Sequence, residues 1–405
     1  MSTVIRAARL VDGTGGPAVD DPVVFVDGGR IVAVRQGSAD GLPADAERLD
    51  FPGGTLLPGL TDAHVHLNLP GDGTVFERWA EEDDGVFVAA AAHAAREALL
   101  SGVTTVRDTG SRRGTAFSLR RAVTLGRGLA PRLLLCGPPV TITGGHTWPM
   151  GGEADGVEGV RRRVRELCKQ GADWIKVIGS GGGTAGTLVH RPAFTREELT
   201  AIAEEAHRLD RRVTVHTVNA ESLEDAIDAG VDGIEHALFL VDNSHQEYAP
   251  RVAEKLAASG IPVTSTMVVG HDIVAAVDKM ADPDADHRDQ RERWTRMLDD
   301  TLDQFAKLRS VGVDFISGTD AGWRFTGFTR IPDELWLMTQ AGMTAAEAIH
   351  SSTGRAADVL GIAGETGRVK PGLAADLLVV GGDPLADVRA LNDVRMVMRA
   401  GARVA

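Results

Sequence analysis

The stretch Leu57-Pro-Gly-Leu-Thr-Asp-Ala-His-Val-His66 decides how the chain is read. Its apolar alternation predicts a strand, and side chains two apart on a strand point the same way. His64 and His66 therefore project together from one face, as two imidazoles must if they share a metal ion. Imidazole suits zinc and its divalent neighbours. A His-x-His pair also arises by chance, so its meaning depends on what surrounds it.

Outward from that stretch, short apolar runs alternate with helical segments. The strand candidates are residues 59–67, 104–109, 132–136, 174–178, 212–217, 233–238, 262–267 and 314–318. Helices are signalled between them over 85–100, 156–170, 220–229, 251–258 and 286–309. Another opens on the capping box Thr195-Arg-Glu-Glu198 and runs to residue 209. Eight strands alternating with helices over roughly 300 residues is the pattern of an α/β fold, the (β/α)8 TIM barrel. A doubly wound open sheet is the competing arrangement. It calls for a phosphate-binding glycine motif, whereas Gly179-Ser-Gly-Gly-Gly183 follows a strand without opening directly into a helix.

Both ends of the chain are β-rich. Runs at 3–10, 23–26 and 30–34 are broken by turns, with Asp27-Gly28-Gly29 as a hairpin. Runs at 376–380 and 394–398 stand at the other end. Neither end has enough strands for a stable sheet alone. The two are expected to pair into one small β-domain; two separate appendages are the alternative.

Composition narrows the partners. The 405 residues carry 43 Lys and Arg against 57 Asp and Glu, a net charge of −14. So acidic a surface argues against nucleic acid and anionic membrane as partners. Cys136 and Cys168 make no disulfide framework and fit a reducing, cytoplasmic setting. The start MSTVIRAARLVDG lacks the pattern of a signal peptide. No apolar run approaches about 18 residues, so no transmembrane helix is expected.

In such barrels the chemistry sits at the C-terminal ends of the strands. There the first strand carries His64 and His66, the fourth Lys176, the fifth His216, the sixth Glu235 and His236, and the eighth Asp320. Each alone has a structural reading. Lys176 can snorkel to the surface, His216 can be a hydrogen-bonded core residue, and Asp320 can cap the following segment. Together they face one mouth if the barrel forms. An ammonium at Lys176 would repel cations, whereas its reaction with carbon dioxide gives a carbamate able to bridge two metals. Two metals about 3.5–4 Å apart can hold a hydroxide between them. On this reading His64, His66 and Asp320 hold one metal, His216 and His236 hold the other, and carboxylated Lys176 spans both. Metal lowers the pKa of water from about 15.7 towards 7. Asp320 beside that water can take its proton and pass it to a leaving amine.

These residues lie in segments that resemble the amidohydrolase superfamily. The segments are LPGLTDAHVH, GVTTVRDTG, DWIKVIGSGG, VTVHTVNAESLEDAIDAGVDGIEHA, SGTDAG and the tail from AGMTAAEAIHSSTGRAADVLG to GRVKPGLAADLLVVGGDPLADV. They are similar to the branch around imidazolonepropionase, with its metal-dependent prolidases and arginine/lysine carboxypeptidases. The resemblance implies a composite β-sandwich from residues 1–57 and 363–405 beside a barrel over 58–362. It implies two divalent metal ions of zinc type on the residues named above, and barrels that often associate as homo-oligomers. It also implies a role for His146 in Thr143-Gly-Gly-His-Thr147: in similar enzymes this histidine reaches over the site and polarises the substrate carbonyl. An exposed loop histidine is the plainer alternative. Arg107 and Asp108 read as structural.

The chain departs from the branch in two places. Related peptidases commonly carry a tyrosine within two residues of the fifth-strand histidine, which holds the substrate carboxylate. Here Thr217-Val218-Asn219 follows. After the eighth-strand aspartate the branch often has a histidine–glycine pair, where this chain has Trp323-Arg-Phe-Thr-Gly-Phe328. Val218, Arg324 and Phe328 are thus candidate substrate contacts, Arg324 and Arg191 as cations and the aromatic residues for an apolar acyl or aryl group. The expected activity is hydrolysis of an amide C–N bond in a dipeptide, an N-acyl amino acid or a similar small molecule. Urea, carbamate or cyclic amide hydrolysis and deamination are rivals on the same residues. A scaffold protein that has lost catalysis is the non-enzymatic rival, and the full ligand set speaks against it.

Overall fold

The computed structural model describes residues 2–282 and 284–405. A sheet opens the chain with β1 (Thr3–Leu10), β2 (Val19–Asp20), β3 (Pro22–Asp27), β4 (Arg30–Gln36) and β5 (Glu47–Pro58). Parallel strands follow: β6 (Leu60–Val65), β7 (Val103–Asp108), β8 (Arg132–Leu135), β9 (Trp174–Ile178), β10 (Arg212–Thr217), β11 (Gly233–His236), β12 (Val263–Ser265) and β13 (Phe315–Ser317). The chain closes with β14 (Leu377–Gly381), β15 (Val394–Arg399) and β16 (Ala402–Arg403).

The parallel strands form two runs, β6-β7-β8 and β9 through β13 in order. Two seams join the runs into a ring. At one, Val140 bridges Val177, with Val140 N–H donating to Lys176 O at 2.8 Å. At the other, Val65 bridges Ala321, with His66 N–H donating to Ala321 O at 2.7 Å. The eight strand candidates all occupy this ring, within a few residues of their expected limits. Near-continuous burial explains their apolar runs, since helices cover the outside of the ring and side chains fill the inside.

The helices are α1 (Phe76–Trp79), α2 (Asp84–Leu100), α3 (Thr115–Thr124), α4 (Gly156–Gln170), α5 (Arg196–Arg208), α6 (Ala220–Asp228), α7 (Pro250–Ser259), α8 (Val268–Asp278), α9 (Ala285–Ser310), α10 (Ile331–Gln340), α11 (Ala345–Ser351) and α12 (Gly354–Leu360). The capping box opens α5: Thr195 Oγ1 accepts from Glu198 N–H, and Glu198 accepts from Thr195 N–H at 2.9 Å. Two helices, α8 and α9, sit between β12 and β13 and enlarge that side of the mouth. No helix among the described residues is long and apolar enough to cross a membrane.

The remaining strands make one sheet in the order β16-β15-β14-β5-β1-β3-β4, with β2 on β1. Both chain ends contribute to it. The sheet folds over, because Ile31 N–H donates to Leu373 O at 2.9 Å and Gly372 N–H to Ile31 O at 2.8 Å. Ile5, Val24, Leu56, Leu377, Val379 and Met396 fill the space between its halves. Its central strand, β5, was not anticipated. The segment ERLDFPGGTLLP begins polar and carries Pro and Gly, which mask a strand in sequence. β5 pairs parallel with β1 and antiparallel with β14, then passes through Gly59 into β6.

Gly59 is required at that passage. A Cβ there would lie 2.1 Å from Thr104 Oγ1 on β7. Gly59→Ala is expected to destabilise the protein by about 1–3 kcal/mol, the usual range for overpacking. Urea unfolding measures it, and a midpoint equal to wild type would show that β5 and β6 are not clamped at this junction.

Candidate metal centre

The C-terminal mouth of the ring opens into a cavity of about 440 Å³. His64, His66, His146, Lys176, His216, His236 and Asp320 line it, so the polar residues marked at the strand ends share one space. Val218 and Arg324 line it as well. Phe328 does not. It is 6% exposed and packs into the main apolar core, where the chain returns inward after Gly327, so its role as a substrate contact is withdrawn. Arg191 is exposed outside the lining.

Proton placement shows what the centre needs. His64 Nδ1 lies 2.8 Å from Glu235 Oε2, and His66 Nδ1 lies 2.9 Å from the Gly110 carbonyl oxygen. Both partners only accept, so each ring carries its proton on Nδ1 and turns a bare Nε2 inward. Those nitrogens lie 3.5 Å and 3.1 Å from Asp320 Oδ1. That oxygen is buried and accepts no aligned hydrogen bond. Three electron-rich atoms facing one another require positive charge between them. Burial disfavours a charged His66, but Asp320 outweighs burial and raises its pKa, which is the same demand expressed through a proton. A divalent cation answers it directly. His64, His236 and Asp320 each offer a ligand atom within 4.8 Å of the others, so the residues present fit a metal ion.

The other groups are prepared for the same task. Burial pushes the His64 imidazole down to about 4, with Lys176 adding to the effect. Burial likewise holds His216 and His236 well below the ordinary imidazole value, keeping them neutral as ligands must be. His216 Nε2 faces the Gly181 carbonyl at 3.2 Å, which leaves Nδ1 bare. Lys176 is 2% exposed, and no hydrogen bond or ion pair engages its Nζ among the described residues. Burial lowers its pKa too, which favours the neutral amine.

Backbone strain completes the convergence. Glu235 and His236 are consecutive, yet both reach the inside of the ring. A regular strand would send them to opposite faces. His236 leaves strand geometry with φ +70°, and Ala237 follows at +54°. Asp320 sits at +56°. Such positions cost on the order of 1–3 kcal/mol each and cluster at functional sites.

Beneath the cluster lies a buried network centred on Arg107, which reads from the sequence as structural. Arg107 donates to Glu235 Oε1 at 2.6 Å, to Thr264 Oγ1 at 3.0 Å and, through Nε, to Ala63 O at 2.8 Å. Thr214 Oγ1 also donates to Glu235. Burial works against the charge of Glu235, but Arg107 and His64 outweigh it and hold the carboxyl well below the usual range. An arginine inside an apolar strand was the available signal. Arg293 of α9, which also lines the cavity, gave none, since it lies in a highly charged helix.

His146 is 7% exposed and stands over the centre, its ring centroid 5.0 Å from that of His216. Its Nδ1 accepts from Thr184 N–H at 3.3 Å and lies 2.7 Å from Thr184 Oγ1, so the ring proton is on Nε2. Burial pushes this imidazole down to about 3, so it stays neutral and able to donate. Gly182 makes room for it, since a Cβ there would lie 2.4 Å from His146 Cδ2.

An α/β barrel with bare imidazoles, a carboxylate and a buried lysine at its C-terminal mouth is an enzyme architecture whose residues could hold a cation. The chain belongs to the amidohydrolase family, whose model matches residues 55–404. It is accordingly a hydrolase of amide-type bonds in small molecules. An ochratoxinase of Aspergillus niger is 27% identical over 436 aligned positions, covering 98% of this chain and 84% of that protein. The imidazolonepropionase of Paracoccus denitrificans is 26% identical, covering 93% and 92%. A crystal structure of a Xaa-Pro dipeptidase with bound methionine superposes with a TM-score of 0.85 at 28% identity, covering 100% of both chains.

Protein purified without chelator is expected to carry close to two equivalents of divalent metal by elemental analysis. One well-occupied site and no second would overturn a binuclear centre and leave the buried Lys176 unexplained.

Proposed function

We propose that the protein is a metal-dependent hydrolase of the amide bond in a dipeptide, an N-acyl amino acid or a related carboxamide. The observation that carries this reading is the pair of bare Nε2 atoms of His64 and His66 set against buried Asp320 Oδ1. His64, His66 and Asp320 would hold one divalent ion of zinc type, and His216 and His236 a second. The neutral amine of Lys176 would add to carbon dioxide, forming an N–C bond and releasing one proton, and the resulting carbamate would serve both ions. Such ions supply Lewis acidity at a carbonyl and a water acidic enough to ionise near neutral pH.

The chain's own groups do the rest. Asp320 takes the proton of the attacking water and returns it to the departing nitrogen. His146 donates Nε2–H to the carbonyl oxygen as negative charge develops there. Thr184 holds that ring in its donor tautomer. Arg324 and Arg293, at the cavity with no ion-pair partner among the described residues, would receive a substrate carboxylate in place of the absent tyrosine. Similarity to an ochratoxinase and to a Xaa-Pro dipeptidase supports the bond type. The free thiols Cys136 and Cys168 support a cytoplasmic setting.

His146→Ala is expected to keep its full metal content while kcat falls about 100- to 1000-fold, the usual loss for one oxyanion donor. KM should change much less. Loss of metal would make His146 a ligand, and near-normal kcat would return it to an ordinary loop residue.

Lys176→Ala is expected to lose metal and activity, with partial recovery when a short carboxylic acid such as acetate or propionate is added. In a crystal structure, density at Nζ should extend by one carboxyl group. An unmodified ammonium in the metal-loaded enzyme contradicts the assignment.

A further inference from the structure

The cavity does not end at the centre. It continues against α8 and α9, where Met267, Val269, Leu298, Phe305, Leu308 and Phe315 wall it. Lining positions recur along α9 at every third or fourth residue, from Arg293 to Leu308. That is about 22 Å of helix at 1.5 Å per residue. The cationic end, Arg293, lies close to Arg324, and the remaining wall is mostly apolar.

Thr301 and Gln304 are the polar side chains of α9 in that wall, and Thr301 is satisfied, donating to the Met297 carbonyl oxygen at 2.7 Å. Gln304 is 4% exposed, and its amide oxygen is buried with no hydrogen-bond partner. Its neighbour Gln246 is satisfied, donating to Thr301 Oγ1 at 3.0 Å. A buried polar group without a partner is costly, and an apolar side chain of similar size would avoid the cost. Gln304 is the side chain α9 would replace first if this compartment only had to be apolar. Half a turn of its amide exchanges oxygen for NH2, so it can meet a donor or an acceptor.

Resting on the amide-hydrolase reading, we propose that the compartment along α9 receives an extended apolar acyl arm of the substrate, and that Gln304 pairs with a hydrogen-bonding group at its far end. The amino-acid side of the same substrate would then face Arg324 and Arg293. The favoured class is N-acyl amino acids whose acyl group is long or aryl and carries a hydroxyl, carbonyl or amide near its end.

Two measurements on the metal-loaded full-length enzyme test this. The first compares kcat/KM for N-acetyl-, N-octanoyl- and N-(8-hydroxyoctanoyl)-phenylalanine. A methylene that enters an apolar site is worth roughly a factor of four. Octanoyl should exceed acetyl by at least about 100-fold, and the hydroxyl should add about tenfold more. Gln304→Leu should bring the ratio of hydroxyoctanoyl to octanoyl to about one or below, and Val269→Phe should shrink the ratio of octanoyl to acetyl. The second is calorimetric Kd for 8-hydroxyoctanoate against octanoate, which the wild-type protein alone can decide. About tenfold tighter binding of the hydroxylated acid is expected. Acetyl cleaved as well as octanoyl, or equal Kd values for the two acids, overturns the compartment while leaving amide hydrolysis standing. No cleavage of any N-acyl amino acid, with the Kd preference intact, overturns the amide reading and upholds the compartment as a binding site.

Discussion

The guanidinium of Arg107 is the fixed point of the barrel interior. It starts on β7, bonds to the backbone of β6 and to side chains of β11 and β12, and lies 4.7 Å over the ring of Trp174 at the head of β9. A buried ion pair rarely adds net stability, because removing two charges from water costs about as much as their attraction returns. Its value here is orientation. With one Glu235 oxygen held by Arg107, the other is left to set the tautomer of His64. Outer partners of this kind decide which nitrogen of an imidazole ligand is free. The centre therefore depends on a contact that touches no substrate.

The barrel was legible because parallel strands buried on both faces leave continuous apolar runs, and all eight stood out at barrel spacing. The gathering of the candidate ligands into one cavity was legible because a barrel sends strand ends to one mouth. What stayed hidden has specific causes. β5 is masked by its Pro and Gly and draws its partners from distant parts of the chain. Glu235 and His236 were both placed at the mouth, but the left-handed backbone at His236 that lets them both reach inward leaves no mark in the sequence. Phe328 was misplaced because a loop's composition does not say which way each side chain turns. The compartment along α9 was invisible because a helix inserted between β12 and β13 creates space that no periodicity records.

Family membership and substrate are set by different parts of the molecule. Whole-chain superposition at 28% identity means that the backbone persists while most side chains change. The proposed chemistry rides on strand ends locked into the ring, whereas the proposed selectivity rides on loops and on α8 and α9. Fold and centre thus define the bond that is broken, and the cavity wall defines whose bond it is.

The position of β5 in the middle of its sheet has a consequence for how the chain is made. One edge of β5 pairs with β1, which precedes it, but the other waits for β14. Leu377 comes 319 positions after Pro58 (377 − 58), which at 5–20 residues per second is a delay of roughly 15–60 s on the ribosome. Throughout that time β5 offers an open strand edge, the kind of surface that recruits wrong partners. The strand bearing His64 follows directly from it and is itself held by β7 and by the bridge from Val65 to Ala321. The ring can therefore close around the candidate site while the neighbouring sheet still lacks a strand, and a chain broken off before β14 keeps the free edge of β5 exposed.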